Sequence, residues 1–176
     1  MRKYLIGVLL GVTILAQAQQ PQQPKTDSTL KTILLQELRE THNQKNWFVS
    51  EKEAVAGLTS EQAAWSDGKN HSVGALVQHL NYWNSVVLTR FKEQSAPKTP
   101  DNDVTFAFDS KQWDAALKEY DRVMGELEQF VQSADQATLE KIAPTVARVG
   151  QHNAYHIGEM VTSRKKQGTW DPKAGV

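Results

Sequence analysis

Cysteine is absent from the 176-residue sequence, and this absence removes several kinds of site. The chain can form no disulfide, zinc ribbon, thiolate nucleophile or lipidated N-terminal cysteine. Any metal ion must therefore be bound by histidine, aspartate or glutamate. The sequence also lacks an excess of either charge, because 20 Lys and Arg residues balance 20 Asp and Glu residues. No run of like charges predicts a polyanion-binding surface, so we expect no nucleic-acid partner.

The common signatures of proteases, esterases, P-loop proteins and di-iron carboxylate bundles are also missing. The sequence contains no HExxH, GxSxG, GxxxxGK[ST] or Glu-x-x-His pattern. Each of those patterns carries the reactive groups of its protein class, so the sequence disfavours these four classes. No convincing pair of β-strands is present either.

The first 18 residues are typical of a secretory signal peptide. Arg2 and Lys3 form a short basic region, residues 4–15 are mostly apolar, and residues 16–18 read Ala-Gln-Ala, which signal peptidase selects. About 12 apolar residues are too few to span ~30 Å of hydrocarbon, which argues against a membrane anchor. We expect cleavage after residue 18, export to the periplasm or secretion, and no membrane association afterwards.

The remaining chain divides into a tether and one domain. Residues 19–26 are predicted to be disordered, since QQPQQPK has two prolines and no apolar side chain. In residues 27–176, apolar residues recur at three- and four-residue steps, which is the period of an α-helix. We therefore predict an all-α four-helix bundle with a long crossover loop between its second and third helices. The long helices are predicted over 28–56, 72–93, 109–133 and 144–167, short helical turns over 59–65 and 135–142, and the crossover loop over 95–108.

Histidines are the main candidates for chemistry. His152 and His156 are four residues apart in the predicted fourth helix, so both imidazoles lie on one face and can reach one metal ion. His79, in the middle of the second helix, is a third candidate, because both helices face the core of a bundle. The spacing alone also fits histidines that are surface residues or are hydrogen-bonded in the core or between helices. His42 and His71 are not expected to touch a metal.

Two segments around these histidines resemble a known family. They are residues 65–84, which contain SVGALVQHL, and residues 151–168, which contain HNAYHIGE. Both are similar to the DinB-like superfamily of metal-binding four-helix bundles, and the similarity extends from the first helix to the closing QGTWDP segment. The resemblance implies that the three histidines ligate one divalent ion, which we take to be zinc, nickel or iron.

The resemblance also implies a type of reaction. Characterised members of the superfamily include thiol-dependent S-transferases and isomerases. Three neutral imidazoles leave a metal its positive charge and an open position, where a bound thiol or water loses its proton near neutral pH. The first hypothesis is therefore an exported metal-dependent enzyme that acts on a small molecule as a transferase or hydrolase.

The second hypothesis is a non-catalytic binding or structural bundle in which the metal ties the second and fourth helices together. A structural zinc site is usually closed by a fourth protein ligand. Glu159, where the family often has Gln, is compatible with that role, with a hydrogen bond to a ligand histidine, or with solvent exposure. A homodimer is compatible with either hypothesis.

Overall fold

The computed structural model describes residues 28–95, 98 and 101–175. This part of the chain is helical and contains no strand. Its α-helices are α1 (Thr29–His42), α2 (Glu51–Val55), α3 (Ser60–Ala64), α4 (Val73–Phe91), α5 (Trp113–Ser133) and α6 (Gln136–Gln167). Short 3-10 helices cover Asn102–Phe106, Ser110–Gln112 and Pro172–Ala174. The predicted signal peptide (1–18) and tether (19–26) lie outside the described residues.

Four of these helices, α1, α4, α5 and α6, form the bundle. Helices α1 and α4 each pack against both α5 and α6, so the four contacts close a ring around one core. The core is filled by fully buried apolar side chains, among them Leu38, Leu80, Met124, Leu127 and Met160. Burial of each such side chain contributes about 1.5–3 kcal/mol. The predicted all-α four-helix bundle is confirmed, and none of the described helices has the length and apolar character of a membrane span.

Side-chain caps determine where the two histidine-bearing helices begin. The Ser72 hydroxyl accepts the backbone N–H of Ala75 at 3.2 Å and starts α4. The Asp135 carboxylate accepts the N–H of Thr138 at 2.8 Å and starts α6. Each cap satisfies a backbone donor that has no partner within its helix. Helix α6 ends at Gly168, whose φ of 77° is a left-handed conformation that favours glycine.

The first predicted helix is wrong in its C-terminal half. The prediction covers residues 28–56 without a break, whereas α1 ends at His42 and α2 begins at Glu51. Trp47 has the residue type and spacing of the apolar stripe that predicts a helix over 28–56, but it is 92% exposed. Ser50 forms a capping box, which starts a new helix instead of continuing the first.

The fourth helix begins earlier than the sequence predicts. Helix α6 includes both the short turn predicted over 135–142 and the helix predicted to start at Pro144. Pro144 lies inside the helix, where it has no N–H to donate to the carbonyl four residues earlier. Leu139 and Ile142 are buried just before it, so core packing offsets the lost hydrogen bond and keeps the helix continuous.

The described part of the connection between α4 and α5, which falls in the predicted crossover loop, lies against α4. The 3-10 helix Asn102–Phe106 packs on α4. Gly74 on α4 permits the close approach of Phe108, which follows this 3-10 helix, because a Cβ atom on Gly74 would be 2.2 Å from the ring of Phe108. The crossover segment therefore presses against the helix that carries His79, and it brings Thr105 to that side chain.

Candidate metal centre

Helices α4 and α6 bring three histidines together. His79 lies on α4, and His152 and His156 lie one turn apart on α6. The Nε2 atom of His152 is 3.2 Å from Nε2 of His79 and 3.1 Å from Nε2 of His156. One candidate ligand atom from each histidine lies within 4.8 Å of the other two. Within the described residues, this is the group of histidine and carboxylate side chains that could hold a metal ion.

Thr105 orients the ring of His79 from the crossover segment. Its Oγ1 donates to the carbonyl oxygen of Asn102 at 2.6 Å and lies 2.6 Å from Nδ1 of His79. Because the hydroxyl hydrogen is committed to that carbonyl, Nδ1 of His79 donates its own hydrogen to Oγ1. The lone pair of the ring is then on Nε2, which faces the other histidines.

Glu159 orients the ring of His156 in a similar way. Its Oε2 is 2.7 Å from Nδ1 of His156, one turn away on α6. A carboxylate accepts the N–H of a histidine and thereby leaves the lone pair on Nε2. Glu159 is not in the group of converging ligand atoms. Of the three roles that the sequence left open, its geometry matches that of a hydrogen-bond acceptor.

Two of the three rings are held in the neutral form. Burial, followed by the charges of His156 and His152, lowers the pKa of His79 to about 3. Burial and the charge of His156 lower the pKa of His152 to about 4. Neutral imidazole is the form that binds metal ions.

The hydrogen inventory of the cluster favours a cation. With Nδ1 of His79 and of His156 donating outward, both Nε2 atoms are acceptors, and Nε2 of His152 has at most one hydrogen for two close neighbours. The short contacts between nitrogens therefore cannot both be good hydrogen bonds. A divalent ion bound by all three nitrogens would use every lone pair. Zinc, nickel and iron are all compatible with such a donor set.

Aromatic rings cover one side of the cluster. Phe106 is stacked between His71 and His79, with ring centroids 3.8 Å and 4.0 Å away. Trp83 meets the ring of His79 edge-on at 6.4 Å. His71 therefore lies behind Phe106 and outside the group of three, in agreement with the sequence prediction. Sequence reasoning missed Thr105 and Phe106, since no spacing rule links a loop residue to a helix.

The comparison with known protein families gives a match that includes all three histidines. The profile described as the DinB superfamily matches residues 52–162, more than half of the chain. The chain belongs to the DinB superfamily. The resemblance inferred from the two histidine-bearing segments is thus confirmed. Comparisons with curated proteins and with solved structures found no match.

In this DinB-superfamily chain, a cavity of about 360 Å³ lies next to the cluster. Glu159, which contacts His156, forms part of its wall, together with His71 and Tyr155. Lys166 also lines the cavity, and its Nζ atom is 2.8 Å from a carboxylate oxygen of Asp67. A small molecule in this cavity would contact Glu159, which is hydrogen-bonded to His156 of the cluster.

His42, on α1 of the same DinB-superfamily bundle, has entirely different partners. Its Nδ1 is 2.7 Å from a Glu128 oxygen and its Nε2 is 3.0 Å from an Asp121 oxygen. Burial alone would lower the pKa of His42, but the hydrogen bonds to Glu128 and Asp121 outweigh it and raise the pKa. Because a carboxylate only accepts hydrogen bonds, these contacts favour the imidazolium form of His42 and leave neither ring nitrogen directed at a metal site.

Proposed function

We propose that this chain is a divalent-metal-dependent enzyme that activates a thiol or a water molecule for reaction with a small-molecule substrate. The ion would be held by His79, His152 and His156. The observation that carries the proposal is the convergence of three Nε2 atoms without a fourth histidine or carboxylate in the group, among the described residues. When bound, a divalent ion with an open position would make a thiol or water acidic near neutral pH.

The surrounding residues support this proposal through orientation and access. Thr105 and Glu159 each fix a ring by accepting its Nδ1 hydrogen, so two of the three nitrogens are aimed before any ion arrives. Phe106 covers one face of His79 and limits the entry of water from that side. Glu159 touches both the cluster and the cavity, so its carboxylate stands where it can accept a substrate proton.

The proposal includes export of the enzyme, based on the signal-peptide pattern in residues 1–18. The small-molecule thiols used by cytoplasmic relatives would be scarce outside the cell, which favours water as the nucleophile to test first. Mass spectrometry of protein from the native host should show an N-terminus at residue 19. A mature chain that begins at Met1 would contradict export without affecting the proposed metal site.

Metal analysis of protein purified without a histidine tag tests the ligand set. We expect about one divalent ion per chain in the wild type and almost none in His152→Ala, since a helical pair of ligands is broken. His71→Ala is the matched control, because this exposed histidine is close to the cluster but outside the group. Stoichiometric metal in a variant that lacks all three cluster histidines would overturn the assignment.

A second experiment separates the enzyme from a bundle with a purely structural metal. Metal-loaded protein is titrated with azide and with a simple thiol, and then screened against hydrolysable and thiol-accepting substrates. We expect exogenous ligands to bind and the helical circular dichroism to survive chelation at 25 °C, because the apolar core does not depend on the ion. A metal that accepts no ligand, or a chain that unfolds on chelation, would favour the structural hypothesis.

A further inference from the structure

A second cavity, of about 560 Å³, lies between α2 and the N-terminal half of α5. It shares no lining residue with the cavity beside the histidine cluster. Part of its wall is apolar and comes from Val55, Leu58 and Leu117. Titratable side chains form another part of the wall, and Glu51 is the most buried of them, with 4% of its surface exposed.

Glu51 has no hydrogen-bond partner for its buried Oε1 atom. A buried carboxyl oxygen without a donor loses its hydration and receives nothing in exchange, which destabilises the folded protein. Such a group in a cavity wall either simply destabilises the fold or accepts a hydrogen bond from a bound ligand. The hydrogen-bond donors around Glu51 indicate what a ligand would have to supply.

Three buried side chains around Glu51, those of His42, Trp113 and Tyr120, carry donors that contact other acceptors. Both ring nitrogens of His42 donate to carboxylates, those of Glu128 and Asp121. The hydroxyl of Tyr120 donates to a backbone carbonyl at 3.1 Å, and the indole N–H of Trp113 donates to another at 3.2 Å. None of these three side chains donates to the buried Oε1 of Glu51, which leaves this oxygen available to a donor on a molecule in the cavity.

The charges around the cavity indicate which kind of donor fits. Burial, and then the negative charge of Asp121, raise the pKa of Glu51 to about 8. Asp114 adds a further negative charge to the wall, while Lys52 and Lys118 are exposed and are not hydrogen-bonded to the buried Oε1. The ring of His42 is already paired with two other carboxylates, those of Asp121 and Glu128. The position of Glu51 thus lacks both a donor and a positive charge.

We propose that this cavity binds a small organic cation, namely a primary amine with a short apolar chain. Its ammonium group would donate to Glu51, and its carbon chain would pack against Val55, Leu58 and Leu117. An ammonium group supplies three donors and one positive charge, which are what the buried carboxyl group lacks. This site is independent of the metal centre and of the reaction proposed for it.

Binding has a proton balance that can be measured. The amine enters as its ammonium ion, and the protonated Glu51 releases its hydrogen to the buffer when it becomes the carboxylate partner. No covalent bond forms or breaks apart from this O–H bond. Since Glu51 is mostly protonated at pH 7, close to one proton should be released for each bound amine.

Calorimetry with three probes of one size tests the proposal. The wild-type chain is titrated at pH 7 with n-butylamine hydrochloride, n-butanol and sodium butyrate, each in two buffers of different ionisation enthalpy. We expect the amine to bind at least roughly tenfold more tightly than either other probe, with proton release for the amine alone. Equal binding of butanol, tighter binding of butyrate, no detectable binding of the amine, or amine binding without proton release would overturn it.

Variants locate the binding to Glu51. Glu51→Gln preserves the shape of the side chain and should lose both the preference for the amine and the proton release. Glu140→Gln is the control, because it makes the same substitution at an exposed position on α6 and should bind like the wild type. Unchanged amine binding in Glu51→Gln would contradict the proposal. If that variant fails to fold, the comparison of probes on the wild type still decides it.

Discussion

Histidine has opposite roles in two regions of this bundle. In the cluster on α4 and α6, Nε2 atoms face one another, and burial lowers the pKa of His79 and His152. On α1, His42 is also buried, but carboxylates accept from both of its nitrogens and its pKa is raised. The comparison shows that the partners of the two ring nitrogens, and not burial alone, decide whether a histidine is a neutral base or a buried cation.

Removal of a cluster histidine should have the largest effect. We expect His79→Ala to lower the affinity for a divalent ion by more than roughly 100-fold. That is the upper end of the loss expected when only a hydrogen-bond partner of a metal ligand is removed. Competition with a chromophoric chelator measures this change. His42→Gln should leave the affinity within about twofold, since His42 lies outside the group of three. A similar loss in both variants would mean that the two regions do not differ as described.

Removal of an orienting partner should have the next largest effect. Thr105→Val keeps the shape of the side chain but removes the acceptor of the His79 Nδ1 hydrogen, so we expect the metal affinity to fall by about 10- to 100-fold. Thr89→Val is the matched control, because its hydroxyl donates to the backbone carbonyl of Ser85, one turn earlier on α4. An unchanged affinity in Thr105→Val would show that the ring of His79 is held by packing alone.

Glu51, which lines the same cavity as His42, is a buried carboxyl group whose ionisation should lower the free energy of unfolding as the pH rises. The pKa of Glu51 is raised to about 8 in the folded state, so the folded protein binds an extra proton between pH 4.5 and 8. The free energy of unfolding is therefore highest below this pH range and falls as the pH rises through it. We expect Glu51→Gln to match the wild type at pH 4.5 in urea unfolding and to exceed it by about 2 kcal/mol at pH 9. Parallel curves for the two proteins would contradict this expectation.

The smallest effect concerns the ion pairs of His42. Because the folded-state pKa of His42 is raised, its contribution to stability is fully present below the unfolded pKa of about 6.5 and is lost as the pH rises through the folded value. His42→Gln should destabilise the protein by about 1 kcal/mol at pH 6, since Asp121 is mostly exposed and its pairing is weakened by solvent. The difference between the two proteins should shrink at pH 9. A difference that grows with pH would mean that His42 is neutral.

The long helices and the three histidines could be predicted from the sequence because both follow from local periodicity. The predicted helix over 72–93 is close to α4, and the four-residue spacing of His152 and His156 places both on one face. The break after α1 could not be predicted, because Trp47 has the right type and spacing but faces solvent. Thr105 reaches His79 only through the path of the crossover segment, and that path is a matter of tertiary packing.

The unpartnered carboxyl group of Glu51 was equally inaccessible to sequence reasoning. A glutamate in the first turn of a helix after a serine is an ordinary surface pattern. Its burial results from the packing of α2 against α6 and α1, and the neighbouring donors of Trp113 and Tyr120 are bonded to backbone carbonyls that are distant in the sequence. Such features depend on which polar atoms lack a hydrogen-bond partner in the folded chain, and no local sequence pattern predicts them.

The position of Trp83 gives the histidine cluster an optical signal of its own. The indole ring stands edge-on to His79 with 6.4 Å between centroids, so its fluorescence depends on what that imidazole binds. A paramagnetic ion such as nickel or ferrous iron quenches an indole emitter at this range, whereas zinc has a filled d shell and does not quench in this way. The part of the emission that is lost in a Trp83→Phe variant should therefore distinguish zinc from nickel or ferrous iron without any label attached to the protein.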